Sequence, residues 1–335
     1  MKKISHLFVI LLNIINACAQ PAAIKSVATT RQLFDSAYIL PHWNVETGFN
    51  FVTAKTISGT YMSHTGTPAA TFSDIHLEGD YALVAGGSKG IGYAIAEALA
   101  RRGYNLILIA RHLDSLLSAK IKLESTYQVH VEILVHDLAK EESALAIGRW
   151  CADRNVNLKM LCNVAGLGGA RDYLALPLDS LRYMVRLNVE SAMALTLTLL
   201  PLLEKNAPSY VLNVASMAGF APIPVKNLYS ATKSAVVFFS YSLRYELKKK
   251  NISVSCLAPG PVFTKPEIKK DTKAKLGWIG MKMAVSPERV GEIAVRETFK
   301  KKLIIVPGTL AKIAAAVIRF LPRRWVVAVY GNLGK

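Results

Sequence analysis

A glycine-rich turn lies between an apolar strand-like run, residues 81–84, and an apolar helix-like run, residues 93–102. Glycines let a backbone turn tightly and approach a pyrophosphate, whose charge is then held by free N–H groups at the helix N-terminus. An ordinary strand-to-helix turn is the alternative, and the glycines alone do not decide between the two. The turn reads Ala85-Gly86-Gly87-Ser88-Lys89-Gly90-Ile91-Gly92. Its candidate nucleotide-binding residues are Gly86, Ser88, Lys89, Gly90, Ile91 and Gly92.

Composition limits the partners of the chain. Its 335 residues are 52% hydrophobic, enough for one α/β domain of about 250 residues with extensions. A net charge of +18 favours an anionic partner such as a nucleotide, an acidic substrate or a membrane surface. The sequence has no zinc-finger spacing and no RNP-like aromatic motif, which argues against a nucleic acid. Its four cysteines are too few and too scattered for a disulfide framework or a metal site.

The first residues follow the pattern of an export signal. Residues 1–19 combine a basic start, an apolar core and the small-residue end Ala17-Cys18-Ala19. Lipidation at Cys18 and an uncleaved anchor are alternatives to cleavage. We therefore expect an exported or membrane-associated protein, with a cytoplasmic location as the alternative. Residues 20–78 show no clear periodicity and are interpreted as an extension of unknown role.

From residue 80, strand-like and helix-like runs alternate, which predicts βαβ crossovers and a parallel sheet covered on both faces. Strands are predicted at 81–85, 104–110, 129–136, 158–163, 209–215, 252–258 and 303–306. Helices are predicted near 90–102, 114–127, 140–154, 179–203, 228–250 and 286–299. Seven strands indicate a doubly wound Rossmann-type α/β domain over residues 79–306, with its ligand at the carboxyl ends of the strands. Residues 307–335 follow as an apolar, basic segment.

Two charged residues follow the second and third predicted strands. Arg111 lies 19 residues beyond Gly92, near the point where an NAD enzyme usually places an acid for the ribose 2′-OH. Together with Lys89, Arg111 favours the 2′-phosphate of NADP, with solvated surface charge as the alternative. Asp137 follows the third strand, where it could accept a hydrogen bond from an adenine amino group or cap the next helix.

Tyr229 and Lys233 are four residues apart on a predicted helix, so their side chains lie on one face. An adjacent ammonium lowers a tyrosine pKa from about 10. Tyr229 could then exchange a proton with a carbonyl or alcohol oxygen while hydride moves to or from nicotinamide. Ser216 ends the fifth predicted strand, where its hydroxyl could orient the substrate oxygen. Each residue alone is weak evidence, since a chance helical pair or a serine in a turn looks the same.

Taken together, these residues resemble the short-chain dehydrogenase/reductase family over about residues 80–306. The resemblance implies that Tyr229 is the general acid/base, that Lys233 also holds the nicotinamide ribose, and that Ser216 binds the substrate carbonyl. It also implies that Asn188 supports a water-linked proton relay and that Asp137 contacts adenine. Further segments match the family's motifs, namely Asn163-Val164-Ala165-Gly166 for N-N-A-G and Pro259-Gly260-Pro261-Val262-Phe263-Thr264 for P-G-x-x-x-T. The implied coenzyme contacts in them are Asn163, Ala165, Gly166, Pro259, Gly260, Val262 and Thr264.

Two positions depart from the family's pattern. Ala85 replaces the usual threonine of the glycine turn, and Val164 replaces the second asparagine of N-N-A-G. Side chains at both positions usually support hydrogen bonds of the sheet and the coenzyme loop. The four catalytic positions are intact, so we expect an active NADP(H)-dependent carbonyl reductase or alcohol dehydrogenase. A membrane-attached, non-catalytic nucleotide-binding or scaffold protein is the alternative that the departures favour.

Lysines and apolar side chains are frequent in the last part of the chain. Residues 263–285, where the family places a substrate lid, contain six lysines beside Leu276, Trp278 and Ile279. An apolar helix-like run, 310–321, is followed by Pro322 and then Arg323-Arg324-Trp325. These features predict a lipophilic ketone, aldehyde or alcohol as substrate. The tail could lie in a membrane interface, fold over the substrate pocket or contact a partner subunit, and the resemblance implies a homodimer or homotetramer.

Overall fold

A seven-stranded parallel sheet forms the centre of the protein, in the order β3-β2-β1-β4-β5-β6-β7. The computed structural model describes residues 77–168, 174–224, 226–264, 268, 270, 272 and 280–333. The strands are β1 (Tyr81–Ala85), β2 (Asn105–Ala110), β3 (Val131–Val135), β4 (Leu158–Asn163), β5 (Ser209–Val214), β6 (Ile252–Leu257) and β7 (Ile304–Ile305). The strand order reverses between β1 and β4, which confirms the predicted doubly wound α/β fold.

Helices connect the strands and cover both faces of the sheet. They are α1 (Gly90–Ala100), α2 (Leu113–Tyr127), α3 (Ser143–Asp153), α4 (Leu178–Val185), α5 (Ser191–Lys205), α6 (Asn227–Leu247), α7 (Pro287–Phe299), α8 (Thr309–Phe320) and α9 (Arg323–Leu333). A π-helical turn, Arg186–Glu190, joins α4 to α5, and a 3₁₀ turn, Met217–Phe220, follows β5. All the predicted strands and helices are present.

The strands are apolar along their length because successive side chains point to opposite faces and both faces are covered. In β1, Leu83 and Ala85 pack into one core cluster, whereas Ala82 and Val84 pack into the other. Apolar side chains of α3, α5 and α6 close the first cluster, and those of α1, α2 and α7 close the second. The carboxyl ends of the strands are thereby held at one edge of a rigid, packed sheet.

The helix predicted at 179–203 is not continuous. The π-helical turn Arg186–Glu190 interrupts it and contains Asn188. Such turns insert one extra residue into a helix and redirect the side chains around them. Here the Asn188 side chain is turned toward the backbone of Leu167, to which it both donates and accepts a hydrogen bond.

Two residues, Ser286 and Asp137, are candidates from the sequence for the N-caps of helices. Ser286 caps α7 as predicted, since its Oγ accepts from the backbone N–H of Arg289 at 3.3 Å. The capping role for Asp137 is wrong, because α3 begins at Ser143 with Glu142 at its N-cap. Asp137 Oδ1 instead accepts from the backbone N–H of Ala139 at 3.1 Å, in the turn before the helix.

The export-like segment 1–19, the extension up to residue 76 and most of the lysine-rich stretch 265–279 lie outside the described residues. Within the described residues, one helical stretch, 178–205, is long and apolar enough to cross a membrane. It packs on the sheet, and Leu195, Leu199 and Leu203 belong to the core. Its place in the core accounts for its apolar sequence.

Gly291 provides a test of the packing between α1 and α7. A Cβ atom at this position would lie 2.3 Å from the carbonyl oxygen of Ala94. Gly291→Ala should therefore lower the free energy of unfolding by about 1–3 kcal/mol, because the two helices must move apart. Gly148→Ala is the control, since its Cβ would first meet a methyl group of Thr198, a side chain that can rotate. Urea unfolding measures both variants, and equal stabilities would contradict the proposed close packing.

Candidate active site

The glycine turn follows a path that side chains would block. Gly86 has φ +90°, and a Cβ there would lie 2.9 Å from the backbone nitrogen of Ala165. A Cβ at Gly92 would lie 1.9 Å from the carbonyl oxygen of Gly86. Gly90, with φ +59°, faces the side chain of Thr264. The turn therefore requires glycine and leaves its backbone bare, as close contact with a pyrophosphate requires.

Helix α1 begins in this turn without a side-chain cap. Lys89 occupies the N-cap position, is exposed and makes no capping hydrogen bond, and the first turn of the helix holds no acidic residue. Ser88 and Ile91 lie on either side of it and are partly buried. A helix N-terminus carries partial positive charge and N–H donors, so this end of α1 fits a phosphate group.

The carbonyl oxygen of Ala85 connects β1 to the loop that follows β4. It accepts hydrogen bonds from the backbone N–H groups of Val164 and Ala165, at 3.0 and 2.8 Å. Backbone atoms make this connection, so it does not need the side chains that the family usually has at positions 85 and 164. The two departures from the family's pattern therefore leave the coenzyme loop attached to the sheet.

The side chain of Asn163, at the end of β4, lies in the protein core. Its Nδ2 donates to Thr196 Oγ1 at 3.0 Å and to Asn213 Oδ1 at 2.8 Å. Asn213 in turn donates to Ser240 Oγ at 3.0 Å. The network joins β4 and β5 to α5 and α6. A coenzyme contact at Asn163 would consequently involve its backbone rather than its side chain.

Asn188 holds the loop after β4 in place from within the π-helical turn. Its side chain is 2% exposed. Its Oδ1 accepts from the backbone N–H of Leu167 at 2.7 Å, and its Nδ2 donates to the Leu167 carbonyl at 2.9 Å and to Thr232 Oγ1 at 3.1 Å. A Cβ at Gly166 would lie 3.3 Å from Asn188 Oδ1 and 3.2 Å from Lys233 Nζ. Three residues that the sequence nominated separately therefore meet at this point.

Ser216 follows β5 directly and begins the 3₁₀ turn. Its Oγ accepts a hydrogen bond from the backbone N–H of Ala218 at 3.2 Å, which fixes the position of the hydroxyl group. The Ser216 hydroxyl also lies near enough to the side chain of Tyr229 to lower the tyrosine pKa, against the effect of burial. The turn and the first residues of α6 thus bring these two side chains near each other.

Tyr229 and Lys233 lie one turn apart on α6, with the lysine Nζ 6.0 Å from the centre of the tyrosine ring. Lys233 is 4% exposed and donates to the carbonyl oxygen of Val214 at 2.9 Å. Burial lowers the pKa of the Lys233 ammonium from 10.5 to about 8. Burial raises the pKa of Tyr229, and the nearby Ser216 hydroxyl opposes that rise. The lowering of the Tyr229 pKa that the sequence analysis expects from Lys233 is therefore not found, because burial has the larger effect and acts in the opposite direction.

The P-G-x-x-x-T segment lies beside the 3₁₀ turn. The carbonyl oxygen of Pro259 accepts from the backbone N–H of Met217 at 3.0 Å. A Cβ at Gly260 would lie 3.3 Å from the Met217 sulfur. Val262 pairs with Val285 in a parallel bridge, which fixes the start and end of the lysine-rich stretch against each other. This segment thereby links the Ser216 turn to Thr264 and the glycine turn.

Arg111 and Asp137 are bridged by Tyr183 of α4, a residue that the sequence analysis did not single out. Arg111 Nη1 donates to the Tyr183 hydroxyl at 2.7 Å, and that hydroxyl donates to Asp137 Oδ1 at 3.1 Å. The guanidinium also lies over the Tyr183 ring, 5.8 Å from its centre. No sequence motif connects Tyr183 to these positions. The bridge places the two candidate adenosine-binding side chains in one hydrogen-bonded group.

Comparison with known proteins decides the family. Residues 80–275 match the family described as short chain dehydrogenase. This chain belongs to the short-chain dehydrogenase/reductase family. The nicotinamide coenzyme typical of this family fits the bare, uncapped glycine turn described above.

Curated relatives of this short-chain dehydrogenase/reductase include two reductases of Danio rerio. Very-long-chain 3-oxoacyl-CoA reductase-A is 33% identical over 202 residues, which are 59% of this chain and 63% of the relative. Very-long-chain 3-oxoacyl-CoA reductase-B is 34% identical over 224 residues, which are 61% of this chain and 70% of the relative. The match thus spans less than two thirds of the first relative's length.

Solved structures share the fold. L-sorbose reductase from Gluconobacter frateurii, solved with NADPH and L-sorbose, is 26% identical with a TM-score of 0.62, and the match covers 71% of this chain and 98% of that one. A 7beta-hydroxysteroid dehydrogenase is 21% identical with a TM-score of 0.67, and the match covers 76% of this chain and 97% of that one. At the lower identity, the similarity establishes the fold alone.

The buried ammonium of Lys233 leads to a prediction about stability. Its pKa is about 8 in the folded protein against 10.5 without burial, so the folded state binds this proton more weakly than the unfolded chain. The charge therefore destabilises the coenzyme-free fold below pH 8, and this penalty fades as the pH rises from 8 to 10.5. Lys233→Met should be more stable than wild type at neutral pH, by roughly 2 kcal/mol after loss of the hydrogen bond to Val214.

Thermal unfolding from neutral pH to pH 10.5 measures this difference. The advantage of Lys233→Met should shrink across that range. Lys249→Met, which removes an exposed lysine just beyond the same helix, is the control and should leave the pH profile unchanged. Parallel pH profiles for Lys233→Met and wild type would contradict a strained buried charge.

Proposed function

We propose that this chain is an NADP(H)-dependent carbonyl reductase or alcohol dehydrogenase with Tyr229 as its general acid/base. The observation that carries the proposal is the group of four polar side chains, Asn188, Ser216, Tyr229 and Lys233, packed around the loops that follow β4 and β5. Tyr229 has a hydroxyl partner in Ser216 and an ammonium one helical turn away. This arrangement supports proton exchange at a substrate oxygen.

In the direction of reduction, the Ser216 hydroxyl donates a hydrogen bond to the substrate carbonyl oxygen and stabilises the charge that develops there. Tyr229 gives its phenolic proton to that oxygen, and the carbonyl carbon becomes a C–H carbon. A nicotinamide coenzyme, when bound, supplies the hydride for that carbon. In the direction of oxidation, the phenolate takes the proton back from the alcohol.

Lys233 stabilises the phenolate form of Tyr229 by its charge. Its pKa of about 8 keeps the ammonium mostly protonated at neutral pH, in spite of its burial. Asn188 is a positioning residue in this scheme. It orients the loop at Leu167 and Thr232, the neighbour of Lys233, through the hydrogen bonds of its amide group.

We assign a preference for NADP(H) over NAD(H), because the site has cations for the 2′-phosphate that only NADP(H) carries. Arg111 stands at the end of β2, and exposed Lys89 stands in the glycine turn, so two cations are available for a dianionic group. Tyr183 holds the Arg111 guanidinium in a fixed direction through its hydroxyl and its ring. Asp137, at the other end of the same bridge, is left with Oδ2 for an adenine amino group.

A lipophilic carbonyl or alcohol is the proposed substrate. Two relatives are named for very-long-chain 3-oxoacyl-CoA reduction. The turn after Ser216 carries the apolar side chains of Met217 and Phe220, and α8 adds Ala311 beside Gly260. A similar structure is a sugar reductase, so the fold alone does not decide the substrate. The apolar surroundings of the Ser216 turn carry this part of the proposal.

Tyr229→Phe tests the proposed acid. Turnover of NADPH with ketones and aldehydes should fall by about 10²–10⁴-fold, because the proton donor is lost. NADPH binding, measured by fluorescence titration, should be retained. Tyr245→Phe is the control, since Tyr245 lies exposed on the same helix. Unchanged turnover in Tyr229→Phe would contradict the assignment, and NADPH binding by the wild type without any turnover would favour the non-catalytic scaffold.

Tyr183→Phe tests the coenzyme assignment through binding alone. Removing the hydroxyl frees the Arg111 guanidinium, so the Kd for NADPH should rise by about 3–10-fold, the value of one hydrogen bond to a charged group. The Kd for NADH should rise less than the Kd for NADPH, because NADH has no 2′-phosphate and shares only the proposed adenine contact of Asp137. Fluorescence titration of the coenzyme-free protein measures both constants.

A second arginine–tyrosine pair is the matched control. Arg101 donates to the Tyr127 hydroxyl at 3.3 Å and lies over its ring at 5.8 Å, at the carboxyl ends of α1 and α2. Tyr127→Phe should leave both coenzyme affinities unchanged. Equal losses for NADPH and NADH in Tyr183→Phe would show that Tyr183 acts on the shared part of the coenzymes, contrary to the proposal.

A further inference from the structure

Helices α8 and α9 expose a row of large apolar side chains. On α8, the small residues Ala311 and Ala315 face the core, while the opposite side carries larger residues that remain exposed. Phe320, for example, is 88% exposed. On α9, Val326 is buried, and Trp325 and Val329 are exposed one turn apart. We call this surface the C-terminal apolar face, consisting of Leu310, Ile313, Val317, Phe320, Trp325 and Val329.

The two helices are firmly attached to the catalytic domain. Arg323 Nη1 donates to the carbonyl oxygen of Phe220 at 2.7 Å, and the Arg319 guanidinium lies 3.9 Å from the centre of the Phe220 ring. Ala311 and Ala315 pack in the same core cluster as Phe220. The exposed side chains are therefore held in place on a rigid support, and they do not result from an unattached end of the chain.

The charge of this region is one-sided. Residues 307–335 contain five Lys and Arg residues and no Asp or Glu. Arg319 and Arg323 contact Phe220, whereas Lys312 on α8 and Arg324 on α9 are exposed. An apolar helical surface with a tryptophan and flanking cations is suited to the interface of a membrane, where apolar groups meet acyl chains and cations meet phosphates.

Another exposed apolar row shows why charge matters. On α2, Leu113, Leu117 and Ile121 are exposed at 49%, 40% and 66%. That helix also carries Asp114 and Glu124, which balance its lysines. Similar exposure thus occurs elsewhere in the described part of the chain, but without the positive balance. Charge complementarity to an anionic lipid surface distinguishes the C-terminal face.

We propose that the C-terminal apolar face lies in the interface of a membrane that contains anionic lipids, with Lys312 and Arg324 at the lipid phosphates. This proposed membrane contact does not depend on which reaction the protein catalyses. One consequence rests on the proposed function: because α8 and α9 pack on the turn that begins at Ser216, a lipophilic substrate would leave the bilayer beside the site that converts it.

Hydrogen exchange of the full chain with lipid vesicles tests the proposal locally. Vesicles of phosphatidylcholine mixed with phosphatidylglycerol should slow exchange in peptides from residues 309–333. The variant Ile313→Ser, Val317→Ser, Phe320→Ser should lose this protection, because each removed side chain lowers the partition constant on the order of tenfold. The matched control is Leu113→Ser, Leu117→Ser, Ile121→Ser on α2, which should keep the protection.

The local readout separates this contact from attachment by residues 1–19. Vesicle binding without slowed exchange in 309–333 would overturn the proposal. Slowed exchange without vesicles that grows with protein concentration would overturn it too, since another copy of the chain would then cover the face. The double variant Lys312→Glu, Arg324→Glu should weaken protection by the mixed vesicles. Equal protection by phosphatidylcholine alone would refute the role of charge.

Discussion

The burial of the Lys233 ammonium is the constraint on which the candidate site depends. A charged group taken out of water must be compensated by its surroundings. Here Lys233 Nζ donates a hydrogen bond to the neutral carbonyl oxygen of Val214. The lowered pKa shows that this bond does not fully offset the loss of hydration of the ammonium. Such a group stays in place only if the rest of the fold holds it. The sheet and α6 supply that rigidity, so stability is given up at the point where the chemistry needs a charge.

Segments far apart in the sequence converge on this ammonium. Gly166 passes so close that a Cβ would lie 3.2 Å from Nζ. Asn188, in its π-helical turn, binds the backbone next to Gly166 and also the hydroxyl of Thr232. The π turn therefore has a clear cause, since a regular helix would direct Asn188 elsewhere. The irregular backbone lies where three elements must be joined by one side chain.

The strands could be predicted from the sequence because apolar runs of strand length have few alternatives when helices separate them. β1 and β4 match the predicted bounds at both ends. Helical spacing likewise placed Tyr229 beside Lys233. The orientations of the side chains could not be predicted in the same way, since a motif gives a residue's position in the chain but not the direction of its side chain. Asn163 fits the family's motif, yet its side chain belongs to a buried network between strands and helices.

Tyr183 shows the other limit of sequence reasoning. It binds Arg111 across 72 positions of the chain, and only the folded structure brings them together. The same holds for the departures at Ala85 and Val164. Judged by side chains, they suggested a weakened coenzyme loop, but the backbone of Ala85 makes the connection to Val164 and Ala165 by itself. A motif describes side chains and does not show which hydrogen bonds the backbone makes. The loss of hydrogen bonds expected from these two substitutions was therefore larger than the structure shows.

The 3₁₀ turn Met217–Phe220 connects the chemistry to the C-terminal helices. Its first hydrogen bond is accepted by Ser216, and its last residue, Phe220, is held by Arg319 and Arg323. The same short turn positions a proposed catalytic hydroxyl and anchors α8 and α9. A displacement of those helices would therefore be passed to Ser216 through the four residues of the turn. The position of the C-terminal segment and the substrate class are therefore linked questions, because α8 and α9 pack on the turn that begins at Ser216.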